Sequence, residues 1–445
     1  MSLLQTFFNY FRTRSFGRAL RHRDFVLTEG IGWFSVAGVW VHRVGIGWLT
    51  WELTHSGTIL GLIFMAEAAP SILLAPLAGA YADRFDRLVM GRIIQVIIMA
   101  VTALLAAFTI LDLIDIYGLF VFTTLHGIVS AFWAPVRHSL VPNIVPREDI
   151  TPAVALHSML FNVARFVGPA LAGPIVAIWG VGWAFAVTAV GYSGYLIVLF
   201  VIRLPYPDEK SSRDVSILNN MIEGFKYAGT HPALKYLFVA VIVTSVFLRS
   251  YTELLAGIAD QVFNSDAEGF GYLVSATGLG AVFGALWVGS QTRPAAVLRS
   301  FFIALWVCVA FLALFAATTT FWLAAAYSVV LGFCMTAINI STQVLIQSTV
   351  KGVMRGRTMS FYAVIARAGP PVGAVFVGWA STYIGFEWPI LATVVVSAVV
   401  GAYVFRKRRG IELGLDRDVP QETVTVPAAE ASPTGPAVME KRPAE

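Results

Sequence analysis

Twelve apolar segments, each of about 20 residues, take up most of this chain and constrain its fold more than any other feature. Segments of this length can cross the hydrocarbon core of a bilayer, where only helices or closed barrels satisfy the backbone polar groups. The segments show no polar–apolar alternation, so they predict helices and not barrel strands. The predicted spans are 26–51, 58–80, 89–111, 116–136, 152–177, 183–203, 235–258, 268–290, 298–317, 320–345, 357–382 and 386–405.

The composition excludes several classes of protein. Hydrophobic residues make up 57% of the 445 residues and charged residues 13%, whereas about a quarter of the residues in soluble domains are charged. A water-soluble enzyme, a disordered chain and a nucleic-acid-binding protein are therefore excluded. We predict an all-α membrane protein with the lipid bilayer as a partner and no nucleic acid.

The positive charges lie on one side of the predicted spans. All but four of the 31 lysines and arginines fall in the N-terminal segment, the even-to-odd connections, the adjoining helix ends or the C-terminal tail. The four exceptions lie inside apolar spans: Arg43, Arg165, Arg249 and Arg367. Because loops rich in lysine and arginine stay in the cytoplasm, we predict a multi-pass protein with both termini cytoplasmic.

The longest internal connection separates two groups of six spans. Within this connection, residues 216–227 carry apolar residues at helical spacing and predict an amphipathic helix. The predicted segments are a cytoplasmic N-terminal segment (1–25), an N-terminal six-helix bundle (26–203), a cytoplasmic linker with the amphipathic helix (204–234), a C-terminal six-helix bundle (235–405) and a disordered cytoplasmic tail (406–445).

A short pattern recurs in the two groups of spans. Ala164-Arg165 in span 5 recurs as Ala366-Arg367 in span 11, and a proline follows in both places. Such a recurrence at equivalent positions is typical of a duplicated six-helix unit. It predicts two pseudo-symmetric bundles.

The connection between spans 2 and 3 carries a motif, Gly79-Ala80-Tyr81-Ala82-Asp83-Arg84-Phe85-Asp86-Arg87. It resembles the signature G-x-x-x-D-R-x-G-R-R of the major facilitator superfamily, although Asp86 replaces a glycine and Leu88 replaces the last basic residue. The resemblance implies the major facilitator fold, with twelve transmembrane helices in two pseudo-symmetric six-helix bundles. It also implies a conformational latch formed by Gly79, Asp83, Arg84 and Arg87. A charge cluster that only sets membrane topology is the alternative.

Span 5 carries a second resemblance, to the antiporter motif G-P-x-x-G-G of superfamily exporters. Gly168, Pro169 and Gly173 match it, and Ala172 replaces one glycine. Ordinary packing of small residues is the alternative. The segments 51–54, 82–87, 131–137, 145–149 and 162–169 resemble the branch that contains the enterobactin exporter, macrolide efflux proteins and transmembrane secretion effectors. This resemblance implies a protein of the bacterial cytoplasmic (inner) membrane.

Ionisable side chains at bilayer depth are functional candidates, because they are costly unless they face a bundle interior or a cavity. Glu67 is the leading candidate for proton coupling, since a carboxylate that alternates between burial and exposure can load and release a proton. Glu29 and His126 are further candidates for this role. A static salt bridge is the alternative for Glu67.

Polar residues on spans 5, 7, 10 and 11 are the candidates for a substrate cavity. They are Arg165, Asn162, Arg249, Tyr251, Glu253, Asn339, Gln343 and Arg367. Arg165 could orient an anionic group or pair with Glu67, and Arg165 and Arg367 could equally stabilise helix packing. With four arginines inside the spans against Glu29, Glu67 and Glu253, the interior is predicted to be slightly cationic.

The sequence lacks the patterns of nucleotide-binding and metal-binding sites. It contains no glycine-rich loop followed by lysine and no HExxH or CxxC motif. We therefore predict no enzyme activity, no cofactor, no metal and no nucleotide partner. The predicted function is secondary active transport by alternating access, with proton-coupled export of a small siderophore- or drug-like organic molecule. An importer or lipid flippase on the same fold, or a non-transporting membrane sensor or assembly protein, is the alternative.

Overall fold

Twelve long helices run through the part of the chain that the computed structural model describes, which is residues 16–206, 226–231, 233–291, 293–350 and 353–416. We number them in chain order as α1 (Arg23–Thr54), α2 (Gly57–Arg84), α3 (Arg87–Ile110), α4 (Ile116–Ile144), α5 (Ile150–Trp179), α6 (Val181–Val201), α7 (four consecutive pieces, Leu234–Val243, Thr244–Leu248, Ser250–Glu253 and Leu255–Gln261), α8 (Ala267–Gly289), α9 (Pro294–Ala317), α10 (Phe321–Thr349), α11 (Val353–Ile384) and α12 (Glu387–Arg406). The described residues contain no strand. The predicted all-α class is confirmed.

Eleven of these helices contain a stretch that is long and apolar enough to cross a membrane. The other helix, α1, has 32 residues. At a rise of 1.5 Å per residue this length exceeds the ~30 Å of a hydrocarbon core. Its hydropathy is lower because it contains polar residues such as Glu29, His42 and Arg43. Glu29 and His42 are buried in the bundle, and Arg43 is partly buried.

The helices alternate in direction, so the bundle has two distinct ends. We call the end at which α1 begins the near end, and the opposite one the far end. The far-end connections are tight, and two of them turn on a glycine with positive φ: Gly180 (89°) before α6 and Gly385 (75°) before α12. Side chains rarely adopt this conformation. The same turn at the same place in each half supports a duplicated unit.

Close helix contacts within the halves also repeat. A Cβ added at Gly168 on α5 would lie 2.6 Å from the Cβ of Trp40 on α1, and one added at Gly369 on α11 would lie 2.5 Å from the Cβ of Ser245 on α7. Small residues allow such close backbone approach between membrane helices. The fifth helix of each half is therefore seated against the first helix of the same half.

The contacts between the halves are concentrated toward the far end. A Cβ added at Gly61 on α2 would lie 2.5 Å from the backbone nitrogen of Val375 on α11, and one added at Gly271 on α8 would lie 2.7 Å from the Cα of Gly173 on α5. The described residues therefore form two halves with close backbone contacts toward the far end. We call the region between the halves on the near-end side of these contacts the cleft.

Two predicted segments lie wholly or partly outside the described residues. Positions 207–225, with most of the predicted amphipathic helix, and 417–445 are among them. The predicted disordered tail began at residue 406, whereas Arg408–Asp416 forms a short helix. This helix is held in place by Ile411, which is fully buried in the apolar core.

Candidate functional site

A charge cluster joins the two halves in the far-end part of the bundle. Arg43 of α1 donates from Nη1 to Oε2 of Glu67 on α2 at 2.9 Å, and from Nη2 to Oε2 of Glu253 on α7 at 2.6 Å. The Glu253 side chain is 9% exposed and that of Glu67 is 21% exposed. The Arg43 guanidinium also lies 4.5 Å from the centre of the Phe64 ring. A single arginine thus bridges carboxylates from both halves.

Two stacked histidines extend this cluster into the N-terminal half. The Nδ1 of His126 on α4 lies 3.6 Å from Oε1 of Glu67. The rings of His126 and His42 are stacked with their centroids 4.5 Å apart, and both side chains are buried. With neutral histidines the cluster has one positive and two negative charges. The cluster as a whole then carries one net negative charge.

A glycine on α4 explains why His126 reaches Glu67. A Cβ added at Gly127 would lie 2.4 Å from the carbonyl oxygen of Glu67, so the α2 and α4 backbones touch at this level. The neighbouring residue His126 is carried against the carboxylate as a consequence. Ser71, one turn further along α2, donates to the carbonyl of Gly127 at 3.0 Å and fixes the same contact.

A small cavity lined by both polar and apolar side chains lies among α7, α10 and α11 in the C-terminal half. The side chains that line it include Thr244, Ser245, Arg249, Asn339 and Tyr362. Its α7 wall is a π-helical turn, Thr244–Leu248, a widened geometry that is frequent at functional sites. The structure thus brings together two predicted cavity residues, Arg249 and Asn339.

Hydrogen bonds order the side chains of this cavity. The Tyr362 hydroxyl donates to Oδ1 of Asn339 at 2.7 Å, and Nη1 of Arg249 donates to the carbonyl of Ala366 at 3.4 Å. The other N–H groups of Arg249 make no hydrogen bond to the described residues within these limits. The cavity therefore offers hydrogen-bond donors to a ligand.

A second pair of ionisable groups lies inside the N-terminal half, toward the near end. Oε1 of Glu29 on α1 lies 2.8 Å from Nδ1 of His157 on α5. Both side chains line a pocket of about 400 Å³ that also includes Arg137 and Tyr195. Glu29 is therefore paired within one half, separately from the cluster around Glu67.

The sequence profile of the transmembrane secretion effector family matches residues 19–422. This chain belongs to that family. The staphyloferrin A transporter of Staphylococcus aureus is 26% identical over 351 residues, which cover 76% of this chain and 84% of that protein. The enterobactin exporter EntS of Shigella dysenteriae is 23% identical over 337 residues, covering 73% and 77% of the two chains.

A solved structure shows the same fold. The crystal structure of a bacterial homologue of the human lysosomal transporter Spinster, inward-facing and unoccupied, superposes with a TM-score of 0.68 and 16% identity, covering 88% of this chain and 98% of that one. The predicted major facilitator fold and the predicted branch are confirmed. The protein is a multi-pass membrane transporter for small-molecule substrates and not an enzyme.

The arginine that pairs with Glu67 is not the one that the sequence suggested. Arg165 was a candidate partner of Glu67, but Glu67 bonds Arg43 instead. The Arg165 guanidinium lies 5.4 Å from the centre of the Trp40 ring. Arg367 of α11 reaches across to α2, where Nη2 donates to Oγ of Ser71 at 3.2 Å.

Other predicted cavity residues of the transporter lie elsewhere. Tyr251 is 1% exposed and packs against Phe315 of α9 with ring centroids 5.3 Å apart, so its side chain lies in the apolar core. Asn162 donates to the carbonyl of Ser158 in its own helix at 2.8 Å. Gln343 is half-buried on α10, about one turn after Asn339.

The antiporter-like residues of this family member take part in helix packing. Gly168 faces α1, whereas Gly173 and the carbonyl of Pro169 face Gly271 on α8 in the other half. These positions allow close approach both within a half and between the halves. In this structure these three residues are therefore helix-packing positions. Their link to the direction of transport stays a prediction.

The predicted latch is only partly visible. No described atom lies within 4 Å of a Cβ added at Gly79. The side chains of Asp83 and Arg84 lie outside the described residues. Arg87 begins α3, and Asp86 caps that helix by accepting from the backbone N–H of Val89 at 2.9 Å. The latch stays a prediction.

Sequence reasoning noted His42 and Arg43 only as polar residues inside span 1 and gave no role to His157 or Tyr362. Arg43 had the same signal as the other intramembrane arginines, since a charge inside an apolar span needs a partner. Tyr362 carried no signal, because a single tyrosine is common in membrane helices.

Proposed function

We propose that this transporter exports a small organic molecule across the bacterial cytoplasmic membrane in exchange for protons. The observation that carries the proposal is the Arg43 bridge between Glu67 and Glu253, with His126 3.6 Å from Glu67. This cluster links the contact between the halves to a site that can hold one proton. Those are the two elements that coupled alternating access requires.

The loop charges support an orientation. Basic residues concentrate at the near end, where α1 begins and α12 ends, and such loops remain cytoplasmic. In this orientation the cleft opens to the cytoplasm, and the far end closes the path to the exterior. The structure then corresponds to the inward-facing state, in which an exporter collects its substrate.

Protonation and the Arg43 bridge exclude each other. Each carboxylate must be ionised to accept a short charge-assisted bond from Arg43. Opening of the far end separates α1 from α7, so Glu253 loses Arg43 and becomes accessible to a proton from the exterior. Closing of the far end brings Arg43 back, which favours the ionised carboxylates and expels the proton. Glu67 and His126 provide the adjoining position through which the proton leaves toward the cytoplasm.

The relatives support the class of substrate. One is named for staphyloferrin A and another for enterobactin export. We therefore infer a siderophore- or drug-like organic molecule. The resemblance of Gly168, Pro169 and Gly173 to an exporter motif supports the outward direction.

Transport in proteoliposomes of known sidedness tests this proposal. Purified protein is reconstituted with the near end facing outward, and uptake of enterobactin and of staphyloferrin A is measured with and without an acidic lumen. We expect uptake of at least one of them to rise with the acidic lumen and to fall to background in Glu67→Gln. Glu52→Gln is the matched control, because Glu52 is exposed outside the cluster. Uptake that is the same with and without the acidic lumen, or that persists in Glu67→Gln, would contradict proton coupling through this residue.

A further inference from the structure

We infer that the cleft binds its substrate through anionic groups, held by Arg165 from the N-terminal half and Arg249 from the C-terminal half. This inference rests on the proposed transport function and adds the chemical class of the substrate. The first support is the distribution of charge in the interior. Glu67 and Glu253 both pair with Arg43, and Glu29 pairs with His157.

The remaining arginines of the cleft have no such partner. Among the described residues, no carboxylate oxygen lies within 4.0 Å of the Arg165, Arg249 or Arg367 guanidinium. A cation held away from bulk water without a counter-charge is unfavourable. An anionic ligand would supply the missing charge, whereas a permanently cationic ligand would add to the repulsion.

Each of the two arginines lies beside groups that suit an organic anion. Arg165 stacks over Trp40, which provides an aromatic surface next to the cation. Arg249 uses one N–H on the carbonyl of Ala366 and lines the small cavity among α7, α10 and α11 with the Asn339 amide and the Tyr362 hydroxyl. Arginine offers five N–H donors in a fixed fork that matches a carboxylate. The geometry fits a ligand that combines a carboxylate or a similar acid with an apolar or aromatic body.

The position of the two arginines on opposite halves gives the anion a role in the cycle. Arg165 and Arg249 carry like charges, which repel each other when the halves approach. An anion between them replaces repulsion by two attractions. Binding of the substrate then favours approach of the halves at the near end, which is the movement that turns the site toward the exterior.

Binding of two dyes with related xanthene bodies tests the inference. The probes are 6-carboxyfluorescein, which is anionic, and rhodamine 123, which is cationic. Fluorescence anisotropy is measured with purified protein in nanodiscs, without any gradient. We expect at least tenfold tighter binding of 6-carboxyfluorescein. Arg165→Gln and Arg249→Gln should each weaken it about tenfold, the equivalent of about 1.4 kcal/mol. Arg165→Lys, which keeps the charge, should retain part of the affinity.

Controls separate this result from unfolding and from the proposed function. Arg21→Gln removes an exposed arginine outside the cleft and should bind as the parent does, and thermal unfolding shows whether each variant is folded. Absent binding of 6-carboxyfluorescein, equal or tighter binding of rhodamine 123, or parental affinity in both folded glutamine variants overturns the inference. Selective anion binding without gradient-dependent uptake would instead overturn only proton-coupled export.

Discussion

The guanidinium of Arg43 lies 2.6 Å from the carboxylate of Glu253, and this contact crosses the boundary between the two halves of the transporter. The same guanidinium holds Glu67 within its own half at 2.9 Å. Any movement that opens the far end must break the first contact, while the second can persist. We therefore propose the Arg43–Glu253 pair as a gate, with Glu67 as the group that keeps Arg43 in position when the gate is open.

Removing the charge of Glu253 should open the gate. Glutamine keeps the size of the side chain but weakens a charge-assisted hydrogen bond worth about 1.5–3 kcal/mol. We expect Glu253→Gln to raise the far-end-open population about tenfold. The readout is labelling of Ser381→Cys by a membrane-impermeant maleimide from the far-end side, because Ser381 is buried where α11 meets Gly57 of α2.

The labelling experiment needs a clean background and a charge control. Cys308 and Cys334 are both free and buried, so both are replaced by alanine. Glu52→Gln removes an exposed carboxylate at the far end and should label at the parental rate. A parental rate in Glu253→Gln as well would show that this pair does not hold the far end closed.

A larger side chain at Gly61 should also shift the equilibrium between the open and the closed far end, through packing and not through charge. A Cβ here would lie 2.5 Å from the backbone of Val375, which cannot move without moving α11. Overpacking of this kind costs about 1–3 kcal/mol, which is a shift of about 5- to 150-fold. We expect Gly61→Leu to raise the labelling of Ser381→Cys by a factor in this range.

The control for this substitution is a glycine without neighbours. Gly30 on α1 is exposed, and no described atom lies within 4 Å of a Cβ added there. Gly30→Leu should therefore leave labelling unchanged. If Gly61→Leu labels no faster than Gly30→Leu, the α2–α11 contact is not specific to the closed far end.

Hydropathy was enough to predict the all-α class and the membrane-spanning helices, because a bilayer accepts few structures besides apolar helices. The major facilitator fold came from the resemblance of the motif between spans 2 and 3. The partners of the buried charges were not predictable in this way. Arg43 lies 24 residues from Glu67 and 210 residues from Glu253 in the sequence. Their contact depends on the depth and rotation of three helices, which an apolar pattern leaves undefined.

Helix 7 shows a second limit of sequence reasoning. Tyr251 and Arg249 were both assigned to the cavity, yet only Arg249 lines it. At about 100° per residue, side chains two positions apart on a helix lie about 200° apart. Arg249 and Tyr251 therefore point to nearly opposite faces, and a list of polar residues on one span does not separate the two faces.

The pair of Glu29 and His157 should stabilise the N-terminal half and not carry the proton coupling. Removal of one partner of a buried hydrogen bond costs about 1–3 kcal/mol, because the other group is left without a partner. We expect His157→Ala and Glu29→Gln each to lower the midpoint of thermal unfolding, and the double variant to lose less than the sum. Proton-dependent uptake should survive in folded Glu29→Gln. Additive losses, or loss of gradient dependence, would contradict this assignment.

The widened turn of α7 should depend on a glycine of α11. A Cβ added at Gly373 would lie 1.7 Å from the carbonyl oxygen of Val246, inside the π-helical turn, so the turn cannot keep its position beside a larger residue. We expect Gly373→Ala to displace the turn at a cost of about 1–3 kcal/mol, lowering both the unfolding midpoint and the affinity for 6-carboxyfluorescein. Gly356→Ala on the same helix, with no described atom within 4 Å, should change neither. Parental affinity in Gly373→Ala would mean that the cavity wall does not depend on this turn.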